Sequence, residues 1–263
     1  MEQARQIRFE DGAAYEEFMG KWSRVAGDAF LRWLDPAPGW RWVDVGCGNG
    51  AFTEMLVERC APAAVAGIDP SPEQVAYARQ RLASDSLRFD VGDAMALPYA
   101  DAEFDAAVMA LVIFFVPDPA RSVAEMVRVV RPGGSVSTYA WDILGGGFPY
   151  QALQDEMAQL AVTPLWPPSV EASRMETMRA LWAGAGLTGI ETRELTVERT
   201  FADFDAFWKT AQTGPRLAAS IAAMPAGDRQ ILSDRLRARL PADASGRITY
   251  SARANAIKGL APS

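Results

Sequence analysis

Val43-Asp44-Val45-Gly46-Cys47-Gly48-Asn49-Gly50-Ala51, the run VDVGCGNGA, sets three glycines within five positions directly behind the apolar stretch "WRWV" at 40–43. Glycine density of that kind marks a backbone that bends through left-handed conformations or lets another group come close. Gly46, Gly48 and Ala51 also satisfy G-x-G-x-x-G/A, the turn joining a first strand to a helix in dinucleotide-binding sheets. A plain tight strand-to-helix turn has the same spacing. The flanking sequence has to choose between these readings.

Downstream, the chain alternates strands and helices. "WRWVDVG" (40–46) reads as a buried strand, "GAFTEMLVERC" (50–60) as a helix and "AAVAGID" (63–69) as the next strand. Ser71-Pro72-Glu73 offers an N-cap with proline at the first helical position, opening "PEQVAYARQRLA". Strands follow at "LRFDVGD" (87–93) and "FDAAVMALV" (104–112). An amphipathic helix at 118–130 is ended by Arg131-Pro132-Gly133-Gly134, and "SVSTYAW" (135–141) is a fifth strand. Strands alternating with helices of this length predict right-handed βαβ units and a parallel sheet. Ligands of such sheets sit beyond the carboxyl ends of the strands, where the glycine loop lies.

The flanks differ in character. Residues 13–34 carry apolar positions at helical spacing, broken near Gly20 and ended by Asp35-Pro36. After Gly145-Gly146-Gly147, helical stretches at 149–162 and 171–184 surround the proline- and tryptophan-rich "TPLWPPS". "GIETRELTVERTF" (189–201) alternates like an exposed strand, helical patterns in 203–240 break at Gly214-Pro215 and Pro225, and "GRITYSARANAIKG" (246–259) reads as a last strand. The expectation is an α/β fold with a doubly wound, mostly parallel seven-stranded sheet and helical cap insertions. One domain would span 1–263: a core of about 36–144 plus 186–201 and 246–259, an N-terminal cap at 1–35, and insertions at about 145–185 and 202–244 that form a candidate lid.

Composition narrows the function. Of 263 residues, 49% are hydrophobic and 22% charged, so a large core is expected rather than disorder. A net charge of −7 disfavours a nucleic-acid surface, which needs clustered Lys and Arg. Cys47 and Cys60 make neither a metal spacing nor a disulfide framework and suit a reducing compartment. The opening "MEQARQIRFEDG" lacks the apolar core of a signal peptide, and no apolar run is long enough to span a bilayer, so a cytoplasmic protein without membrane partners is expected. Histidine is absent altogether. That removes Ser-His and Cys-His nucleophile systems and histidine-ligated metals, so no metal is expected and any chemistry rests on carboxylates, hydroxyls, Lys or Tyr.

Asp69, closing the second strand, is placed to accept hydrogen bonds from ribose hydroxyls, and also suits a simple Asp-Pro turn. Glycine loop and acid together point to a nucleoside ligand, either a dinucleotide or S-adenosylmethionine. Here "VDVGCGNG" resembles the first motif of class I S-adenosylmethionine-dependent methyltransferases, and "GIDPSPEQVAYAR" their second. "VGDAMALPYADAEFDAAVMALVIFFVPDP" is similar to the stretch after their third strand, and "EMVRVVRPGGSVSTYAW" to the segment ending in their fifth. "YEEFMGKWSR", "FADFDAFWK" and "GRITYSARANAIKG" look like the small-molecule, UbiE/type 11-like branch.

The resemblance implies a Rossmann-like methyltransferase fold and S-adenosyl-L-methionine as cofactor, with S-adenosyl-L-homocysteine as product. It assigns Gly46 and Gly48 to the methionine moiety, Asp44 to its amino end, Asp69 and the adjoining Pro70 to the ribose, and Asp93 with the Ala94 N–H to the adenine. Leu111 would be a floor under the cofactor, and Trp22 and Ser23 would fold over its methionine end. Each has a plainer reading: Asp44 as a loop brace, Asp93 as a turn residue, Trp22 as core. Asp105, at the start of the fourth strand, lies at the far edge and reads as structural.

Methyl transfer by in-line displacement needs alignment more than protein chemistry, and orientation alone is worth roughly 7–11 kcal/mol. Where many relatives carry histidine after the fourth strand, this chain has Phe114 and Phe115, an apolar acceptor wall or core packing. Trp141 and Phe148, with Trp208 from the later insertion, complete the expected substrate pocket, and Asp142 is the candidate base. Arsenite chemistry by three cysteines is impossible, and no N/D-P-P-Y/F/W motif follows the fourth strand. The expected partner is a small-molecule acceptor, apolar or planar, methylated on oxygen, nitrogen or carbon. A cofactor-binding protein without transferase activity and a nicotinamide oxidoreductase are the alternatives.

Overall fold

The computed structural model describes residues 16–162 and 166–263, so the start of the predicted cap at 1–15 and the "TPL" part of the "TPLWPPS" link lie outside the described residues. The first helix, α1 (Lys21–Leu34), follows a π-helical turn at Glu16–Gly20 and stops where Asp35 turns left-handed ahead of Pro36. Five strand and helix units come next: β1 (Arg41–Val45), α2 (Ala51–Cys60), β2 (Ala64–Asp69), α3 (Pro72–Arg81), β3 (Leu87–Val91), β4 (Phe104–Ala110), α4 (Pro119–Val129) and β5 (Val130–Trp141). The predicted N-cap is in place: Ser71 Oγ accepts from the Gln74 N–H, and Asp118 does the same for Arg121 at the start of α4.

The sheet has seven strands in the order β3-β2-β1-β4-β5-β7-β6, where β6 is Thr188–Phe201 and β7 is Ile248–Leu260. β1 through β5 pair in parallel, and β7 runs antiparallel to β5. This is the doubly wound, mostly parallel sheet that the alternation predicts, with the order reversing between β1 and β4. The inner strands read apolar on both faces because helices cover both: Trp42, Val43, Val45, Val108 and Met109 are all buried. One element differs from expectation. "RPGG" is no gap between helix and strand but a bulge inside β5, whose register jumps from Phe104↔Val130 to Ala106↔Ser135. Arg131 Nε on the Asp105 carboxylate, at 2.6 Å, holds the bulge at the sheet edge remote from the glycine loop.

The remaining helices are α5 (Gln151–Gln159), α6 (Met175–Gly184), α7 (Phe204–Ala211), α8 (Pro215–Ala223) and α9 (Ala226–Arg239). Compactness divides the described chain into two units. The larger takes 23–149, 166–197 and 251–263, and the smaller takes 16–22, 150–162 and 198–250. Aromatic packing organises the smaller unit: Phe18 stacks on Tyr150 at 4.5 Å, Tyr150 Oη donates to the Phe18 carbonyl, and Phe207 packs edge-on against Phe201. In the larger unit Trp182 of α6 is buried against the sheet, with Nε1 donating to the Val136 carbonyl at 3.1 Å.

Candidate functional site

Parallel pairing brings the carboxyl ends of β1, β2, β3, β4 and β5 to one edge of the larger unit. The glycine loop turns there because Ile68 O accepts from both Gly46 N–H and Cys47 N–H, at 2.7 and 3.0 Å. Gly46 has φ 79°, and a Cβ on it would meet the Val112 side chain at 2.5 Å, so no other residue fits. Gly48 (φ 52°) is the opposite case: a Cβ there would meet nothing within 4 Å, leaving open space over the loop. Asp69 ends β2 as expected and ties the two motifs together. Its Oδ2 accepts from Gly48 N–H and its Oδ1 from Ser71 N–H, both at 2.9 Å, while burial raises its pKa against these two bonds. Two carboxylate oxygens have capacity beyond one bond each, so ribose hydroxyls remain within its means. Pro70 follows it into the first turn of α3.

Asp44 is fully buried. Its Oδ2 accepts from Thr53 Oγ1 at 2.7 Å, and its Oδ1 has no partner. Burial raises its pKa to about 7, with the Thr53 bond opposing and the charge of Asp69 adding. An oxygen left bare in an apolar interior costs free energy unless a donor reaches it. One oxygen of Asp44 thus braces helix α2, while the other is buried without a partner. Cys47, also buried, has its thiol pushed far up by burial and by the acids beside it, which makes it a packing residue and not a nucleophile.

Asp93 and Ala94 follow β3 as predicted. Asp93 is exposed, and its Oδ1 accepts from Met95 N–H at 2.8 Å, which leaves Oδ2 directed by a closed turn. Leu111 follows β4, with its N–H on the Tyr139 carbonyl, and holds φ 60°. That conformation costs a residue with a side chain roughly 1–2 kcal/mol, a strain typical of functional turns. Ser23, in α1, has a buried Oγ without a partner, whereas Trp22 is wholly buried and falls in the smaller unit.

On the acceptor side Phe114 is buried and Phe115 half-buried, with ring centroids 4.5 Å apart in a single 3-10 turn. Trp141 is buried and Phe148 half-buried. Trp208 lies in the smaller unit, stacked on Phe204 at 6.1 Å. Asp142, the candidate base, has both carboxylate oxygens engaged. Arg253 of β7 grips its Oδ2 from Nε at 3.0 Å and Nη2 at 2.5 Å, and Gly145 N–H donates to its Oδ1. These bonds fix the glycine-rich turn after β5. Asp105, which accepts from Arg41 N–H and Arg131 Nε, is structural as read.

Thr53, Val112 and Arg253 were not singled out from sequence. Thr53 lies nine residues past the acid it binds, and Arg253 is one basic residue in an alternating strand, so only the fold pairs them with Asp44 and Asp142.

The family described as "Methyltransferase domain" matches residues 43–138, from the first strand through the fifth. Residues 43–138 thus carry the sequence pattern of that methyltransferase family. An uncharacterised protein of Mycobacterium tuberculosis is 32% identical over 157 residues, 59% of this chain and 56% of its own length. A demethylmenaquinone methyltransferase of Deinococcus radiodurans is 41% identical over 96 residues, 36% of this chain and 40% of that one. The chain thus spans about half of the curated relatives' length. A phosphoethanolamine N-methyltransferase of Haemonchus contortus, solved with S-adenosyl-L-methionine, shares the fold at a TM-score of 0.58 and 18% identity, covering 95% of this chain and 56% of that one. Asp44, Gly46, Gly48, Asp69, Pro70, Asp93, Ala94 and Leu111 fall within the matched residues, whereas Trp22 and Ser23 precede them. Among the described residues no group of His, Cys, Asp and Glu is placed to hold a metal. No helix among them is long and apolar enough to cross a membrane.

Proposed function

We propose that the chain binds S-adenosyl-L-methionine at the carboxyl edge of β1 to β4 and transfers its methyl group to a small-molecule acceptor. The observation that carries this reading is the half-satisfied Asp44 carboxylate beneath the glycine loop. Its bare Oδ1 is matched by an α-ammonium, a group S-adenosylmethionine has and a nicotinamide dinucleotide lacks. The open space at Gly48 fits a ligand lying against the backbone, and Asp69 with Asp93 suits ribose and adenine. When bound, this group supplies a methyl already activated by the sulfonium. The chain's own part is to align and to exclude water: Asp44 holds the donor's amino end, Asp69 its ribose and Asp93 its adenine, Leu111 supports it, and the Phe114, Phe115, Trp141 and Phe148 side chains present apolar surface to an acceptor. Ser23, in the same unit and with a buried Oγ that has no partner, joins the proposed set.

The test is incubation of the purified chain with methyl-labelled S-adenosylmethionine and a metabolite extract. Label moving into a small product, with S-adenosylhomocysteine formed in equal amount, supports transfer. Tight donor binding with no label transferred from any extract fraction supports a binding protein instead.

A further inference from the structure

The loop after β3 must present Asp93 and Ala94 in one orientation, yet residues 92–103 have little regular structure of their own. One isolated bridge, Asp93↔Ala96, closes the first turn. Tyr99 Oη donates to Asp90 and Ala100 N–H to Glu103, and between them a single face of helix α4 grips the backbone. Arg121, Glu125 and Arg128 stand at i, i+4 and i+7, on the side away from the buried Val123, Met126 and Val129. Arg121 Nε donates to the Met95 carbonyl at 2.8 Å. Glu125 Oε2 accepts from Leu97 N–H at 2.8 Å, and Arg128 Nη2 donates to the Leu97 carbonyl at 2.9 Å. Arg128 Nη1 reaches the Tyr99 carbonyl and the Asp101 carboxylate, at 2.8 and 2.7 Å. Glu125 and Arg128 also pair with each other through Nε and Nη2.

We propose that Arg121, Glu125 and Arg128 are positioning residues for recognition of the donor's adenine, a staple through which α4 sets the orientation of Asp93. The link is short. Met95 is gripped on both sides, its N–H by Asp93 Oδ1 and its carbonyl by Arg121, so the two consecutive peptides that meet at its Cα tie the Asp93 carboxylate to the helix. Both polar groups of Leu97 are then fixed by the Glu125–Arg128 pair, which prevents the strip from sliding along the helix. A guanidinium is needed for this because its planar fork serves a carbonyl, a second carbonyl and a carboxylate at once. The inference rests on the donor reading above and concerns its adenine end.

The experiment is calorimetric titration of wild type, Arg121→Met, Arg128→Met and Arg128→Lys with S-adenosylhomocysteine and with its deaminated analogue, S-inosylhomocysteine, after melting curves have established folding. The analogue lacks the exocyclic amine that Asp93 would accept from. The expected result is that Arg128→Met weakens S-adenosylhomocysteine about tenfold while the analogue changes by less than about threefold, with Arg128→Lys no rescue. Arg121→Met, at an exposed position, narrows the same preference and carries the test should Arg128→Met not fold. Folded variants that keep the wild-type preference between the two ligands overturn the staple. A wild-type chain that binds neither ligand overturns the donor reading itself.

Discussion

Asp44 couples the site to pH. Its native pKa, raised to about 7 by burial, lies above its ordinary value of 3.8, so the folded chain keeps a proton that the unfolded chain releases between those values. Its contribution to stability therefore grows as pH falls through 7 towards 4 and is lost as pH rises, with a slope of up to about 1.4 kcal/mol per pH unit. A ligand ammonium favours the charged form. Binding of S-adenosylhomocysteine should then release a proton near neutrality and tighten as pH rises from about 6 to about 8, a trend that Asp44→Asn removes. Calorimetry in buffers of differing ionisation enthalpy reads the proton directly, and a pH-independent affinity in wild type would argue against the ammonium contact. A second pair of variants separates the two ends of the sheet. Asp69→Ala should cost about 1.5–3 kcal/mol of donor affinity, whereas Asp105→Ala should leave that affinity within about threefold and lower stability instead. The Arg131 bond holds the Asp105 carboxyl below its usual range against the opposing effect of burial, so that stability is present above pH 4 and fades as the pH falls below it. Asp69 and the glycines were legible because their spacing is local. The split duty of Asp44 was not, since it needs Thr53 on the facing helix.

At the scale of elements, the clamp between Asp142, just after β5, and Arg253 on β7 closes the turn at 142–147, where main-chain bonds also join Asp142 to Arg253 and Gly147. Removing one member strands the other charge in a site where the Asp142 side chain is only 10% exposed. Arg253→Met should therefore destabilise by about 2–3 kcal/mol, and the double variant with Asp142→Asn by less than the two singles added together. Denaturant melts measure both. If Asp142→Asn instead abolished methyl transfer at unchanged stability, the base role would be supported. Sequence read the elements well where a chemical signal is local: Ser71 and Asp118 cap their helices, and breaks at Gly214-Pro215 and Pro225 divide α7, α8 and α9. It missed the bulge at 131–134 because Pro-Gly-Gly marks a turn and a bulge with the same residues, and only the register with β4 distinguishes them.

The whole molecule shows the limit of local pattern most clearly. Strand order follows from alternation and handedness, and all seven strands were legible. The grouping of 16–22 with 150–162 and 198–250 was not, because it depends on contacts such as Tyr150 Oη to the Phe18 carbonyl, 132 residues apart in sequence. The net charge of −7 sets no barrier to a ligand carrying both an ammonium and a sulfonium, whereas it opposes the phosphates of a dinucleotide. We propose this sheet edge as the site of an adenosyl amino acid. Equilibrium unfolding of the intact chain, with and without ligand, tests it most directly. S-adenosylhomocysteine at about 100 times its Kd should add about 2.7 kcal/mol of stability, and NAD or NADP at the same concentration should add none. Stabilisation by a nicotinamide dinucleotide, with none by S-adenosylhomocysteine, would contradict it.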